Sequence, residues 1–526
     1  MSQGKLKSKL NLLDLTLLGV GSIIGSGWLF GALHGAQAAG SLAWLSWIIG
    51  AVAIILIGLV YAELGSAIPR AGGFVRYPEY SHGSVTGFLI GFTSFLAYTS
   101  VVGVEVEAVR TYASYWWKGL NASNGAPTAL GFVVQTVLLV LFFLLNYWSV
   151  NFFGKFNTVI TFFKFVVPLL TIVAMFVFFK GSNYHLGGAH PGGIKGVFSA
   201  VAGAGIVFSY LGFRQAIDFA GEAKNPQKDI PRAIILAVVI GLVLYVLLQI
   251  GFVGAVPFDK MGATDWSNLG AKIQSSPYAD MMSILGLGWL LQLILWDAVI
   301  SPAGTGNVFM AGAGRVLYAW AKNGYLPKAF AKVDPKTGIP RAALWLSLVL
   351  AFLWTLPAQF QAWGGLINAV TSAFVLTYMV GPVTAGSFRK VAPGLKRPFV
   401  LKGFSWISPL AFIAASLIAY WSGYEVMRLL VILNIIAFVV FALVANKNGT
   451  FKEDLKAGWW LIVYYIVMAV ISWLGQYGSA PLKVIPQPWD DILVAVVSLV
   501  IYYWGVNSGL KEHRILEEDE VTKKAV

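Results

Sequence analysis

Cysteine does not occur in the 526 residues, so disulfides, thiolate metal centres and a cysteine nucleophile are excluded and the redox compartment is left unread. Charge is scarce as well. Asp, Glu, Lys and Arg together make up 11% of the chain, against about 25% in soluble domains. With 58% of residues hydrophobic, such a chain belongs in a bilayer. Nucleotide and hydrolase signatures are missing: there is no Gly-x-x-x-x-Gly-Lys-Ser/Thr loop, no His-Glu-x-x-His and no Gly-x-Ser-x-Gly. The five histidines are scattered, and His185 and His190, which share a glycine-rich stretch, read as loop residues. No ATP motor, enzyme, cofactor or metal site is expected.

What is present is a long series of apolar stretches. Those of spanning length fall near 15–33, 41–68, 84–117, 129–149, 156–179, 197–221, 232–256, 281–312, 342–357, 361–388, 405–424, 427–446, 458–477 and 488–508, fourteen in all. Residues 1–14, three lysines and then apolar positions, imitate the start of a signal peptide, but no A-x-A-like cleavage site follows. The net charge of +14 follows this layout. With the N-terminus placed in the cytoplasm, 27 of the 37 lysines and arginines fall inside, seven outside, and Arg110, Lys164 and Arg214 within spans. This is the positive-inside pattern and not a nucleic-acid surface, and it puts both termini in the cytoplasm. Asn121-Ala-Ser123 is an outer glycosylation sequon of little weight.

Residues 19–30, Gly-Val-Gly-Ser-Ile-Ile-Gly-Ser-Gly-Trp-Leu-Phe, hold four glycines within the first stretch. Each glycine costs a helix interior roughly 1 kcal/mol against alanine. Two readings stand at this point: a helix broken at the membrane midplane to present backbone groups, or close packing through small-xxx-small spacing such as Gly21 to Gly25. The sixth stretch is interrupted in the same way, at Gly203, Gly205 and Gly212. The two lie five stretches apart, and they run in opposite directions, which matches an inverted repeat of five helices.

Four segments then carry a resemblance. The 19–30 pattern is one. The others are Tyr-Ala-Glu-Leu-Gly-Ser-Ala-Ile-Pro-Arg-Ala-Gly-Gly at 61–73, Gly-Glu-Ala-Lys-Asn-Pro-Gln-Lys-Asp-Ile-Pro-Arg at 221–232, and Arg-Val-Leu-Tyr-Ala-Trp-Ala-Lys-Asn-Gly-Tyr-Leu-Pro at 315–327. In this order they resemble the amino acid permeases of the amino acid–polyamine–organocation (APC) superfamily over residues 15 to about 345; the last hundred or so residues resemble nothing as definite.

The resemblance implies an all-α polytopic membrane protein of the five-plus-five inverted-repeat transporter fold, with glycine-broken first and sixth helices and about 14 transmembrane helices. Residues 15–388 would form the core (15–179 the first repeat, 197–388 the inverted second), 389–508 four additional helices, and 1–14 and 509–526 cytoplasmic ends. The implied activity is alternating-access movement of amino acids across the plasma membrane, as proton-coupled symport or exchange. The amides of Ser26 and Gly27, with Gly25 nearby, would receive the substrate carboxylate, as befits a half-helix N-terminus. The carbonyls of Ile23, Phe208, Ser209 and Leu211 would receive its ammonium. Ile24 and Tyr210 complete the expected binding set, and Phe208 stands where relatives place an aromatic lid.

The charges within the spans add to this. A charge at the bilayer centre costs about 2.5–3.5 kcal/mol on insertion scales, so Lys164, some eight residues into its span, has a role. In sodium-independent relatives a lysine here stands in for a sodium ion, bridging the first and eighth helices; Lys164 is either the coupling proton site or a fixed cation. Arg214 departs from the acidic or small residue usual after Gly-Phe. It pairs with Glu105, Glu107 or Asp218, the ordinary fate of a buried charge, or it clasps a second carboxylate on an acidic substrate. Asp297 is a proton carrier or, more simply, a partner for Lys164 or Arg214. Arg110 and Glu107 are expected to pair near the pathway mouth, and Glu222 and Arg315 to close an inner gate.

Other classes fit less well. A channel calls for pore-lining rings repeated across subunits, and a membrane-embedded enzyme for a nucleophile or metal constellation. A sodium-coupled symporter is the alternative within transporters, and Lys164 argues against it. The expected partners are an amino acid substrate, protons and the lipid bilayer, with no nucleic acid; the sequence fixes no oligomeric state.

Overall fold

The computed structural model describes residues 9–515 apart from 123–124, 149, 187–190, 262–264, 267–268, 270–276, 357–362, 446–449 and 480. Lys5, Lys7, Ser123, His190, Lys272, Lys447, Lys523 and Lys524, used above, lie outside the described residues, as does 516–526 of the tail.

Helix dominates, and no strand forms among the described residues. In chain order the helices are α1 (Leu12–Ile23), α2 (Ser26–Ala39), α3 (Ala43–Ala67), α4 (Gly73–Ala113), α5 (Ala129–Trp148), α6 (Val150–Val177), α7 (Gly193–Gly203), α8 (Gln215–Asp218), α9 (Pro226–Ala255) and α10 (Phe258–Met261). There follow α11 (Pro277–Ile284), α12 (Gly288–Lys322), α13 (Arg341–Trp354), α14 (Trp363–Tyr378), α15 (Val380–Val391), α16 (Phe404–Trp421), α17 (Tyr424–Ala445), α18 (Phe451–Leu474) and α19 (Trp489–Ser508). A 3-10 segment, Phe208–Arg214, leads into α8.

Ten helical stretches among the described residues are long and apolar enough to cross a membrane, or eleven if the pair Gly193–Gly203 and Ile206–Asp218, bent by 47°, is one span. This is fewer than the fourteen expected, for local reasons. Ser26–Ala67 runs on over two expected stretches. The helix over the eighth, α12, carries Asp297, Ser301, Pro302, Gly304, Thr305 and Gly306 through its middle. The helix over the ninth, α13, has only 14 residues. The protein is a multi-pass membrane protein, and its outer faces agree: Leu169, Val173 and Val177 on α6, and Ile432, Ile436 and Val440 on α17, are exposed at helical spacing, as lipid contact demands.

Three interruptions position the site. The first is between α1 and α2, where Ile24 and Gly25 leave helical geometry. α1 itself starts on a reciprocal cap, Asp14 N–H donating to Asn11 Oδ1 at 3.0 Å and Asn11 N–H to Asp14 Oδ2 at 2.9 Å. The second lies between α7 and Phe208–Arg214, where Gly205 turns at φ +76°. The third is a kink in the 41-residue α4 at Gly83, whose φ of +75° and ψ of −167° are open to glycine and hardly to other residues. Around these, α4 lies along α12 and α14, α9 packs on α1 and α3, and α17 and α18 pack on α4.

Candidate functional site

The two breaks are pressed together. A Cβ on Gly212 would fall 2.6 Å from both the Gly19 carbonyl oxygen and the Ile23 nitrogen, so only glycine lets the second break touch the backbone of α1. Gly27 lies against Ser209 in the same way. All twelve residues expected at the site are buried.

Backbone groups freed by a break must find partners in a membrane. At the first break they find buried side chains. The Ser26 N–H donates to Glu105 Oε2 on α4 at 3.0 Å. Lys164 Nζ on α6 donates to the Gly21 carbonyl at 2.6 Å and to Thr305 Oγ1 on α12 at 2.8 Å. With its lone pair facing the ammonium, the Thr305 hydroxyl can spend its one proton on the Gly21 carbonyl at 3.0 Å or the Ile24 carbonyl at 3.3 Å. Tyr245 on α9 donates to the Ile23 carbonyl at 2.6 Å. One lysine thus fastens α6 to α1 and α12, and one carboxylate caps α2. A Cβ on Gly25 would lie 2.8 Å from both Glu105 Oε1 and Thr305 Oγ1, so the cluster closes directly on the break.

At the second break, Ser209 Oγ donates back to the Gly205 carbonyl at 2.8 Å, and Tyr378 on α14 donates to the Leu211 carbonyl at 3.3 Å. Tyr210 donates to the Trp47 carbonyl at 3.3 Å. Arg214 is fully buried: Nε donates to Asp218 Oδ2 at 2.7 Å and a terminal nitrogen to Thr377 Oγ1 at 3.0 Å. Its guanidinium lies 4.1 Å from the Phe74 ring centre and 4.8 Å from that of Tyr98, whose hydroxyl also bonds Asp218. Such stacking suits the weakly hydrated, planar guanidinium.

Beyond Asp218 a second charged layer follows. Arg315 on α12 holds Glu222 by two bonds, Nε to Oε1 at 2.5 Å and the other nitrogen to Oε2 at 3.1 Å, and covers the Phe219 ring at 4.0 Å. The Glu222 carbonyl accepts the N–H groups of Lys9 and Leu10 at 2.8 and 2.9 Å. The Asp218 carbonyl accepts the Gly72 N–H at 3.1 Å. Four chain segments therefore meet at this end of the bundle.

The segments that form both breaks fall within one family match. The model of the family described as amino acid permease matches residues 10–472. The chain belongs to it. This permease is accordingly a transporter of the APC superfamily and not an enzyme. It is 42% identical over 518 residues to a protein of Bacillus subtilis (strain 168) named aspartate-proton symporter, covering 98% of this chain and 99% of the relative. It is 41% identical over 532 residues to the glutamate/serine transporter AimA of the same organism, covering 99% and 97%. A third relative there, the branched-chain amino acid permease BcaP, is 28% identical over 461 residues, covering 85% and 95%.

The permease brings together Ile23, Ile24, Gly25, Ser26, Gly27, Phe208, Ser209 and Lys164, and it departs from the sequence reading in several places. Arg214 is not among the departures, since Asp218, with which it pairs, was one of its three expected partners. Among the described residues Asp297 makes no direct ion pair with Lys164 or Arg214; the Ser301 hydroxyl, one turn on, lies 3.0 Å from each carboxylate oxygen and gives its single proton to one of them. Arg110 donates to Asn121 and to the Gly125 carbonyl, and neither oxygen of Glu107 has a hydrogen-bond partner among the described residues. Glu105 on the Ser26 amide, Thr305 between Lys164 and α1, and Tyr245 on Ile23 were not foreseen. A buried acid at the middle of the third stretch was the available signal for the first; nothing distinguished Thr305 from its neighbours.

Proposed function

We propose that this permease moves amino acids of the acidic class across the plasma membrane together with protons, without sodium, by alternating access between its two breaks. The observation that carries the reading is Lys164: an ammonium holds the Gly21 carbonyl and the Thr305 hydroxyl together, where otherwise oxygens alone would face one another and invite a metal cation. A lysine can give up its proton in a dry site, and an arginine cannot. Glu105 supplies the link to substrate. Its carboxylate sits on the Ser26 N–H, the amide that the substrate carboxylate would take, so the two anions compete for one donor. Protonation of Glu105 weakens its hold on that amide, and proton uptake then favours substrate binding.

The acidic class is supported by two relatives, more than 40% identical over nearly their whole length, one named for aspartate and the other for glutamate together with serine. Arg214, the one arginine beside the second break, is the candidate for the side-chain carboxylate, provided that it exchanges Asp218 for substrate. The architecture proposed with this function is the five-plus-five repeat in residues 15–388, four further helices in 389–508, about 14 spans and cytoplasmic termini. The paired layer of Glu222 and Arg315 then lies on the cytoplasmic side, closed.

The test is uptake into proteoliposomes of a panel of labelled amino acids, with inward proton and sodium gradients imposed separately. The reading expects aspartate or glutamate to accumulate with the proton gradient alone. Accumulation that requires sodium contradicts it, and so does a preference for neutral or cationic substrates.

A further inference from the structure

The kink of α4 at Gly83 leaves a broken hydrogen bond. In a straight helix the Ser84 N–H would donate to the Tyr80 carbonyl, four residues back. Here the Ser84 N–H donates to Asp454 Oδ2 at 3.0 Å, at the start of α18. The Tyr80 carbonyl instead accepts the backbone N–H of Arg514 at 3.1 Å, beyond the end of α19. Asp454 and Arg514 then bind each other, through the two guanidinium ends at 2.5 and 3.1 Å. Both halves of one missing bond are thus taken by two residues that form a pair.

The neighbourhood points the same way. The Ser81 carbonyl accepts the Leu510 N–H at 2.8 Å. His82 sits between Ser81 Oγ at 2.7 Å and the Gly505 carbonyl of α19 at 2.9 Å, so its Nε2 donates and its Nδ1 accepts. A Cβ on Gly83 would fall 2.5 Å from an Asp454 oxygen, which leaves the kink no other residue. The two arms of α4 carry the contacts of both breaks: Phe74, on the short arm before the kink, lies under Arg214, and Tyr98 on Asp218 and Glu105 on Ser26 lie on the long arm after it. Glu79 also accepts the Tyr325 hydroxyl at 2.5 Å, tying the short arm of α4 to the segment after α12.

We propose that Asp454 and Arg514 are positioning residues for transport: the C-terminal helices clamp the kink of α4 and thereby hold the layer around Arg214 closed. Release of the clamp frees the Ser84 N–H and the Tyr80 carbonyl from their partners, lets the Gly83 junction between the two arms bend, and carries the arm that begins at Gly73 away from Arg214. The last four helices are then part of the conformational equilibrium and not an inert addition. This rests on the alternating-access reading, so the test reads conformation apart from uptake.

The natural chain has no cysteine, which allows a single reporter without background. Ala216→Cys, buried between Arg214 and Asp218, is placed in the full-length protein in inside-out vesicles and challenged with a membrane-impermeant maleimide. Arg514→Ala is expected to raise labelling at least about tenfold, the bias of roughly one charge-assisted hydrogen bond. Asp454→Asn is expected to raise it further, and Arg514→Lys less than Arg514→Ala. Labelling of the folded protein that stays at the parent level in both Arg514→Ala and Asp454→Asn overturns the proposal. So does a mere fall in the yield of folded protein with an unchanged rate, because that marks a scaffold role. Failure of proton-driven uptake in the parent protein, with these shifts intact, would count against the transport reading alone.

Discussion

Lys164 and Arg214 are both buried cations, each beside one helix break, and they are held in opposite ways. Lys164 donates to neutral oxygens, the Gly21 carbonyl and the Thr305 hydroxyl, and no direct ion pair joins it to an acid among the described residues. Arg214 is in direct contact with Asp218 at 2.7 Å, donates to Thr377 and is sandwiched by aromatic rings. The chemistry divides along the same line. A guanidinium keeps its proton in any protein site, so Arg214 stays charged whichever carboxylate faces it and, paired with Asp218 as here, acts as a strut. An ammonium that leans on neutral dipoles can part with its proton without abandoning a carboxylate. On the proposed function, one break can change charge and the other keeps it.

The comparison is broken most violently by removing Asp218. Asp218→Asn leaves a buried guanidinium without its counter-charge, and a loss of about 3–5 kcal/mol of stability is expected, read as a fall in the thermal midpoint of the purified protein in detergent. If the midpoint is unchanged, Arg214 is not a strut. Lys164→Ala comes next. It deletes two charge-assisted bonds worth together about 3 kcal/mol, equivalent to roughly a hundredfold in rate, and proton-driven uptake should fall by that order; a variant that still concentrates substrate shows that Lys164 does not serve coupling. Glu105→Gln should preserve folding, since the amide oxygen can still accept from Ser26, but substrate affinity should lose most of its pH dependence; binding that still tracks pH would move the proton elsewhere. Glu222→Gln weakens the inner layer without emptying it, and a several-fold slower transport cycle is expected in counterflow. The smallest effect belongs to the exposed pair of Lys180 and Asp259, 3.1 Å apart at 54% and 85% side-chain exposure. Asp259→Asn should change neither midpoint nor uptake measurably.

The sequence revealed one side of this comparison better than the other. Lys164 stood out because the cost of a lysine in an apolar run demands a purpose, and the breaks stood out because glycine is a poor helix former. Arg214 was visible for the same reason, but its partner was not: Glu105, Glu107 and Asp218 were all within reach, and only Asp218 lies one turn along the same segment. Glu105 and Glu107, two residues apart on α4, face different neighbours, and helical spacing cannot say which acid meets a break formed by another helix. Asp297 was read as a proton carrier or an ion-pair partner; no direct pair forms among the described residues, and Ser301 on the same helix donates to it. The clamp at Gly83 was out of sight for a different reason. Its signal is a broken backbone hydrogen bond completed by residues some 370 and 430 positions later, and no pattern of side chains encodes that.

The central claim, that the break beside Lys164 changes charge during transport, is tested most directly by Lys164→Arg in proteoliposomes. Arginine keeps the positive charge and the donors but cannot release a proton. The variant is expected to exchange internal for external substrate, since that requires no net proton movement, and to fail to concentrate it when an inward proton gradient is imposed. If Lys164→Arg accumulates substrate against its gradient as well as the parent protein does, Lys164 is a fixed cation and the account of coupling is wrong.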